Sequence, residues 1–209
     1  MATLLQKIQE MIDNISVTDK QEETIDKATN NLSSHLTKEE NDLNIGSTFV
    51  NGSYERDTIL RPLDDVDIFA VLNKEEWSDE YGHLPNPQAV LTKIKNKLNS
   101  ISDYKEKVTQ DRPCVTVSLK AINFDVLPSF EDGFGGYLIP NYDLESWTHS
   151  NPEELTKSLN ESHRINNYKL KDAIKAVKYW NRENKKLVPS SLSLTLTLAP
   201  FKADSVRFI

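Results

Sequence analysis

Residues 49–68 read Phe49-Val-Asn-Gly-Ser-Tyr-Glu-Arg-Asp-Thr-Ile-Leu-Arg-Pro-Leu-Asp-Asp-Val-Asp-Ile68. Thr48 to Val50 reads as a short strand, Gly52-Ser53 breaks it, and a loop runs to Pro62. Val66 to Leu72 follows as an almost continuously apolar strand, the pattern of a strand buried on both faces. Asp65 and Asp67 stand at its start. Residues two apart in a strand point to the same side, so both carboxylates face one spot and Asp64 faces away. Two like charges beside apolar residues are costly unless a cation neutralises them. Hard oxygen ligands of this kind suit Mg²⁺, which binds one or two carboxylates plus substrate phosphates. The alternative for Leu63-Asp-Asp-Val is a surface turn of acids.

Gly52-Ser53 adds a second element. A glycine after a strand lets backbone approach a ligand closely, and the following N–H groups and the Ser53 hydroxyl are suited to cradling phosphate oxygens. Asn-Gly-Ser is also an ordinary turn sequence. The third element is Phe124-Asp-Val-Leu-Pro128, where Asp125 interrupts another apolar strand. Alone, Asp125 reads as an edge-strand acid. With its strand beside Val66 to Leu72, three carboxylates converge, the arrangement that holds two metal ions roughly 3.5–4 Å apart. One ion would lower the pKa of an attacking hydroxyl, and the other would neutralise a leaving pyrophosphate.

Around this stretch the pattern is helices, mixed strands, then helices, an α+β order. Leu4, Leu5, Ile8, Met11, Ile12 and Ile15 recur at helical spacing, and Thr18 with Gln21 has the spacing of a capping box. Asn86-Pro87 starts a helix carrying Val90, Leu91, Ile94 and Leu98. Val115, Val117 and Leu119 alternate as a strand that returns through Ile122 to Leu127. Asn151-Pro152 begins another helix, and a long one covers roughly residues 167–184. On that helix Leu170, Ala173, Ile174, Val177 and Trp180 form one face at 100° per residue, with Lys171, Lys175, Lys178 and Arg182 in an adjoining stripe. Lys178 lies closest to the apolar face, where its stem can snorkel over packed surface towards a cleft.

Composition narrows the partners. At 37% hydrophobic residues the chain can build a core, and no run reaches the roughly 18 apolar residues of a membrane span. The net charge of −7 hides an asymmetry: residues 151–189 carry nine Lys or Arg against five Asp or Glu. A protein that coats long nucleic acid is usually basic overall, so the expectation is no long nucleic acid and no membrane. The acidic body suits metal ions, and the basic segment suits a small anion or is a solvated helix face. One cysteine, Cys114, allows no internal disulfide, which fits a reducing cytoplasm. The four histidines show no zinc spacing with it, and no P-loop or dinucleotide fingerprint is present.

Gly52-Ser53, Asp65-x-Asp67 and a distant apolar-Asp125-apolar strand together resemble the nucleotidyltransferases of the DNA polymerase β superfamily. The fuller wording resembles one branch: Gly-Ser-Tyr-x-Arg-x-Thr, then Asp-Val-Asp-Ile, then Phe-Asp-Val-Leu-Pro. That branch is the bacterial cyclic-oligonucleotide synthases related to cyclic GMP–AMP synthase and oligoadenylate synthetase (the CD-NTase or SMODS family). The likeness runs from about Thr18 to Ser191 and includes Ile139-Pro140-Asn141, Trp147 and Asn151-Pro152. It implies a core at 1–150 with N-terminal helices, a mixed sheet with flanking helices, and a helical lobe at 151–209, with a cleft between them. It implies nucleoside triphosphate substrates, two Mg²⁺ ions (or Mn²⁺), and a cyclic di- or oligonucleotide messenger that acts on a downstream effector in antiphage defence. It also carries Arg56, Thr58, Lys178 and Ser191 over as substrate-binding positions, Lys178 where the family places a triphosphate-binding lysine. From the residues alone, Arg56 reaches phosphate or pairs with Glu55 or Asp57, and Thr58 caps a turn.

The likeness stops near Ser191. The family continues with a helix containing Ser, an aromatic and Glu, whereas this chain reads Ser191-Leu-Ser-Leu-Thr-Leu-Thr-Leu-Ala-Pro200, which has the period of a strand. The expectation is a truncated or frame-shifted lobe, incomplete after about 190. It would leave part of the Lys178 helix's apolar face uncovered and activity impaired; the alternative is a family variant with an extra strand. Two other functions stay open: nucleotidyl transfer to a protein or small-molecule acceptor, and an inactive nucleotide-binding module.

Overall fold

Polar N-caps and apolar periodicity set the elements in a computed structural model that describes residues 2–63 and 65–184. Helix α1 (Leu4–Ile15) starts at Thr3 through a reciprocal capping box with Gln6, and α2 (Asp19–Leu36) starts at Thr18, whose N–H and hydroxyl both donate to Gln21 Oε1. Strand β1 (Ile45–Asn51) runs into a four-residue helix, α3 (Gly52–Glu55), and β2 (Val66–Leu72) into another, α4 (Lys74–Trp77). Helix α5 (Pro87–Ser100) has Pro87 in its first turn and Asn86 accepting a hydrogen bond from the Gln88 N–H.

Strands β3 (Val108–Asp111), β4 (Cys114–Ser118) and β5 (Asn123–Glu131) complete the main sheet in the order β1-β2-β5-β4-β3. Only β2 and β5 pair in parallel along that path; the other neighbours are antiparallel, so the sheet is mixed. The chain between them passes through α5, the crossover that parallel neighbours require. Strands β6 (Tyr137–Pro140) and β7 (Trp147–Ser150) extend the far end of β5 as a hairpin. Helices α6 (Pro152–Ile165) and α7 (Leu170–Glu183) follow.

Period two in the strands divides the sheet's faces. Val66, Ile68, Ala70 and Leu72 of β2, with Phe124 and Val126 of β5, point into a core closed by Ile25, Leu32 and Leu36 of α2 and by Val90, Leu91, Ile94 and Leu98 of α5. Burying each such side chain stabilises by about 1.5–3 kcal/mol. The intervening residues point to the opposite face, where Phe49 stacks on Phe69 with centroids 4.9 Å apart and both meet Tyr137. A second, smaller cluster joins Ile12 and Ile15 of α1 to Leu60, with Ala176 and Tyr179 of α7 packed against it.

The helix at residues 167–184 begins later than its spacing suggests. Asn167 and Tyr168 have positive φ, which no α-helix accommodates, and α7 starts at Leu170. Its orientation also differs from the amphipathic reading. Ile174 is buried, but Val177 and Trp180 are 43% and 50% exposed, while Lys175 is only 6% exposed. The physical reason is the neighbour: the 57–62 loop presents a carboxylate and backbone carbonyls, not apolar surface, so the basic stripe turns inward. Ser191, the alternating Leu run and Asp64 lie outside the described residues.

Candidate active site

Four polar side chains form one row across the sheet. Asn51 of β1 pairs with Asp67 of β2, Asp67 with Asp125 of β5, and Asp125 with Thr116 of β4. Registered partners on neighbouring strands share a face, so Asn51, Asp67, Asp125 and Thr116 stand side by side on the face away from the helical core. Asp65 lies just before β2 and is exposed. As they stand, no three His, Cys, Asp or Glu side chains among the described residues are gathered tightly enough to hold a metal ion. The built part of the constellation is the Asp67–Asp125 pair, with Asp65 within electrostatic reach of both.

The pair is electrostatically loaded. Burial first, and then the neighbouring Asp125, push the Asp67 carboxyl up to about 6; Arg56 and Lys178 oppose that shift, and Asp65 adds to it. Burial likewise raises Asp125, against a hydrogen bond from Thr116, and Asp65 and Asp111 raise it further. Burial and the same carboxylates hold the Cys114 thiol far above its ordinary range, so it stays protonated and inert as a nucleophile. Acid groups this raised beside one another fit a hard divalent cation, which would remove the repulsion and accept their oxygens.

Gly52 explains how Asp67 is placed. It has φ of +75°, and a Cβ built there would lie 1.7 Å from Asp67 Oδ2 and 2.7 Å from its Cγ. The carboxylate therefore occupies the volume that any other residue's side chain would fill. Ser53 follows in the first turn of α3, where N–H groups have no intrahelical acceptor. Arg56 is buried: its Nη1 donates to Asn51 Oδ1 at 3.1 Å, and its charge favours ionised Asp67. Of the partners read for Arg56, Glu55 is within electrostatic range and Asp57 pairs with Lys175 instead. Thr58 is fully buried, with its N–H and hydroxyl both directed at the Ser53 carbonyl, so it braces the Gly-Ser turn from beneath.

The basic helix docks on this loop. Lys175 Nζ meets Asp57 Oδ1 at 2.8 Å, Lys178 Nζ donates to the Thr58 carbonyl at 3.0 Å, and Arg182 Nη2 donates to the Arg61 carbonyl at 2.6 Å. Lys178 also acts on Asp67, so of the stripe it is the residue that reaches the carboxylates. Lys175 and Arg182 were not singled out by sequence, nor were Asn51 and Thr116. The first two carried a signal, their spacing with Lys178; the second two carried none, because their roles depend on strand register. A cleft of about 950 Å³ opens at the Asn51 end of the row, between Phe49, Asn51 and Glu55 on one side and Glu153, Thr156 and Asn160 of α6 on the other; Asp65, Asp67 and Asp125 do not line it.

A mixed sheet with flanking helices, a Gly-Ser turn after its edge strand, and carboxylates on two adjoining parallel strands define the polymerase β type of nucleotidyltransferase fold. The solved structures with similar folds are of that type: CdnC of Escherichia coli MS115-1 with ATP (TM-score 0.69, 15% identity, 90% of this chain and 62% of that one) and a STING-associated CdnE c-di-GMP synthase from Capnocytophaga granulosa (TM-score 0.70, 15% identity, 95% and 65%). Residues 1–163 match the Second Messenger Oligonucleotide or Dinucleotide Synthetase domain, and the chain belongs to that family. A cyclic AMP-AMP-AMP synthase of an Acinetobacter species is 38% identical over 145 residues, 66% of this chain and 40% of that protein. The chain spans 40% and 54% of the lengths of two curated relatives it matches. Among the described residues no helix is long and apolar enough to cross a membrane.

Proposed function

We propose that this chain is a nucleotidyltransferase unit that takes nucleoside triphosphates and makes a cyclic di- or oligonucleotide messenger. The observation that carries the reading is the pairing of Asp67 with Asp125 across adjoining strands, against Gly52 and beside an open cleft. Asp65, Asp67 and Asp125 would hold divalent cations, Mg²⁺ or Mn²⁺, which supply charge neutralisation of phosphate and of the attacking hydroxyl. Gly52 and Ser53 present backbone N–H groups and a hydroxyl to phosphate oxygens. Lys178 adds a positive charge on the same side, which supports its assignment to the triphosphate. Arg56 and Thr58 serve this chemistry from beneath: one offsets the carboxylates' charge, and the other holds the turn.

The work is divided between a core at 1–150 and a lobe at 151–209, with the cleft along α6 taking the nucleotide. The product would act in the cytoplasm on a separate effector in antiphage defence. The test is incubation of the chain with each labelled nucleoside triphosphate and Mg²⁺, without any acceptor, followed by chromatography. Cyclic products absent from an Asp65→Asn, Asp67→Asn double variant are expected. Label transferred only when a protein or small-molecule acceptor is added would replace this reading with acceptor modification. No pyrophosphate release under either condition would leave a nucleotide-binding module.

A further inference from the structure

Asp67 and Asp125 are held in place by different means. The Asp67 carboxylate lies against Gly52, in the space that a Cβ there would fill. Asp125 is flanked by a neighbouring strand on each side. Its neighbour across the ladder on one side is Asp67, a like charge, and on the other it is Thr116. The Thr116 hydroxyl donates to Asp125 Oδ1 at 2.6 Å, within the range of charge-assisted O–H···O⁻ bonds.

We propose that Thr116 is the positioning residue for Asp125, fixing its carboxylate beside Asp67, where the two would hold a divalent cation. This rests on the reading of Asp125 as a metal ligand. Thr116 suits the task for three reasons. It sits in mid-strand, where antiparallel pairing on both sides fixes its backbone. It is β-branched, so its χ1 is stiff and its hydroxyl does not wander. It donates to the oxygen of a carboxylate that would otherwise swing away from its like-charged partner. Partners of this kind orient metal ligands, and their removal typically costs 10–100-fold in affinity or activity. Thr116 lies on the same face as the carboxylates, whereas Val115 and Val117 beside it point into the core.

The experiment measures Mn²⁺ binding to the whole chain by electron paramagnetic resonance, so it does not require turnover. Four proteins are compared after removal of metal: wild type, Thr116→Val, Thr116→Ser and Asp125→Asn. Thr116→Val preserves shape and removes the donor, and we expect its Kd to rise by roughly tenfold. Thr116→Ser keeps the donor on a less restricted χ1, so its Kd lies between those of wild type and Thr116→Val. Asp125→Asn binds most weakly. Thr116→Val binding like wild type, with Asp125→Asn impaired, overturns the role of Thr116 and leaves the metal site standing. Thr116→Ser as weak as Thr116→Val also overturns it, because the hydroxyl is then not what matters. Wild-type affinity in Asp125→Asn removes the metal-site reading itself, and the proposal with it. Thermal melting of each protein shows whether it is folded, and Thr116→Ala supplies the donor-free comparison if the valine variant does not fold.

Discussion

Replacing Gly52 with alanine separates two costs that the structure superimposes. The first is backbone strain. Gly52 has φ of +75°, and an L-residue there costs about 1–2 kcal/mol. The second is collision: the new Cβ would lie 1.7 Å from Asp67 Oδ2, 2.7 Å from Cγ and 3.1 Å from Cβ. Because Cγ and Cβ are also close, rotating the carboxylate tip is not enough, and the whole side chain must leave its rotamer for about another 0.5–1.5 kcal/mol. Gly82 is the internal control. Its φ is +80° and nothing lies within 4 Å of a built Cβ, so Gly82→Ala carries the strain alone. In a chain of this size 1 kcal/mol shifts Tm by about 2–4 °C. Gly82→Ala is expected to lower Tm by about 2–8 °C and Gly52→Ala by about 1–6 °C more. Gly52→Ala in an Asp67→Ala background should fall back towards the Gly82 value, a coupling of about 0.5–1.5 kcal/mol. The assay is thermal denaturation of the metal-free protein with Mn²⁺ binding measured alongside, since Gly52→Ala should also lose the ion while Gly82→Ala keeps it. Equal Tm shifts at the two glycines, with Mn²⁺ binding intact in both, would refute the argument that Gly52 exists to admit the carboxylate.

Further outcomes follow from the same geometry. The Asp67 carboxyl is raised from 3.8 to about 6, so the folded state holds a proton that the unfolded state releases; metal-free stability should fall as pH rises from about 4 to about 6 and stay low above that. Asp67→Asn should flatten this dependence and melt higher than wild type at neutral pH, as a pH series of melting curves would read; a wild-type slope in the variant would show that Asp67 is not the titrating group. Asp57→Asn keeps a residue tolerant of φ 53° but removes the charge facing Lys175; it should lower the unfolding free energy by about 1–2 kcal/mol in urea, and an unchanged midpoint would mean that the Lys175–Asp57 charge pair does not help to hold α7. Lys178→Ala should weaken binding of a non-hydrolysable nucleoside triphosphate several-fold more than Lys171→Ala at fixed salt, because Lys178 is the one that reaches Asp67; equal losses, measured by calorimetry, would mean diffuse attraction only.

Much of this protein was legible in its sequence because its strongest signals are local. Asp65-x-Asp67 at the head of an apolar strand, Gly52 after another, and Asp125 inside a third each need only period two to be read. The Thr18–Gln21 capping spacing and the Asn86-Pro87 helix start are likewise written within four residues. The strands read as neighbours do adjoin, with Asp67 and Asp125 direct register partners, while Asp65 stands exposed just before β2.

What only the tertiary structure decided is everything that depends on which strand lies beside which, and in what register. Asn51 and Thr116 look like ordinary polar residues in alternating strands until β1 and β4 bring them level with Asp67 and Asp125. Arg56 and Thr58 sit in an apparent surface loop, yet both are buried, because that loop folds back beneath the Gly-Ser turn. The α7 helix states the lesson most sharply. Its apolar stripe is plain in the sequence, but periodicity gives only the relative directions of its side chains, not what the helix will meet. It meets the Asp57 carboxylate and the Thr58 and Arg61 carbonyls, and charged donors satisfy those groups where apolar side chains would leave them without hydrogen bonds. Local sequence thus determined which groups are candidates for the chemistry, and long-range pairing determined which groups hold them in place.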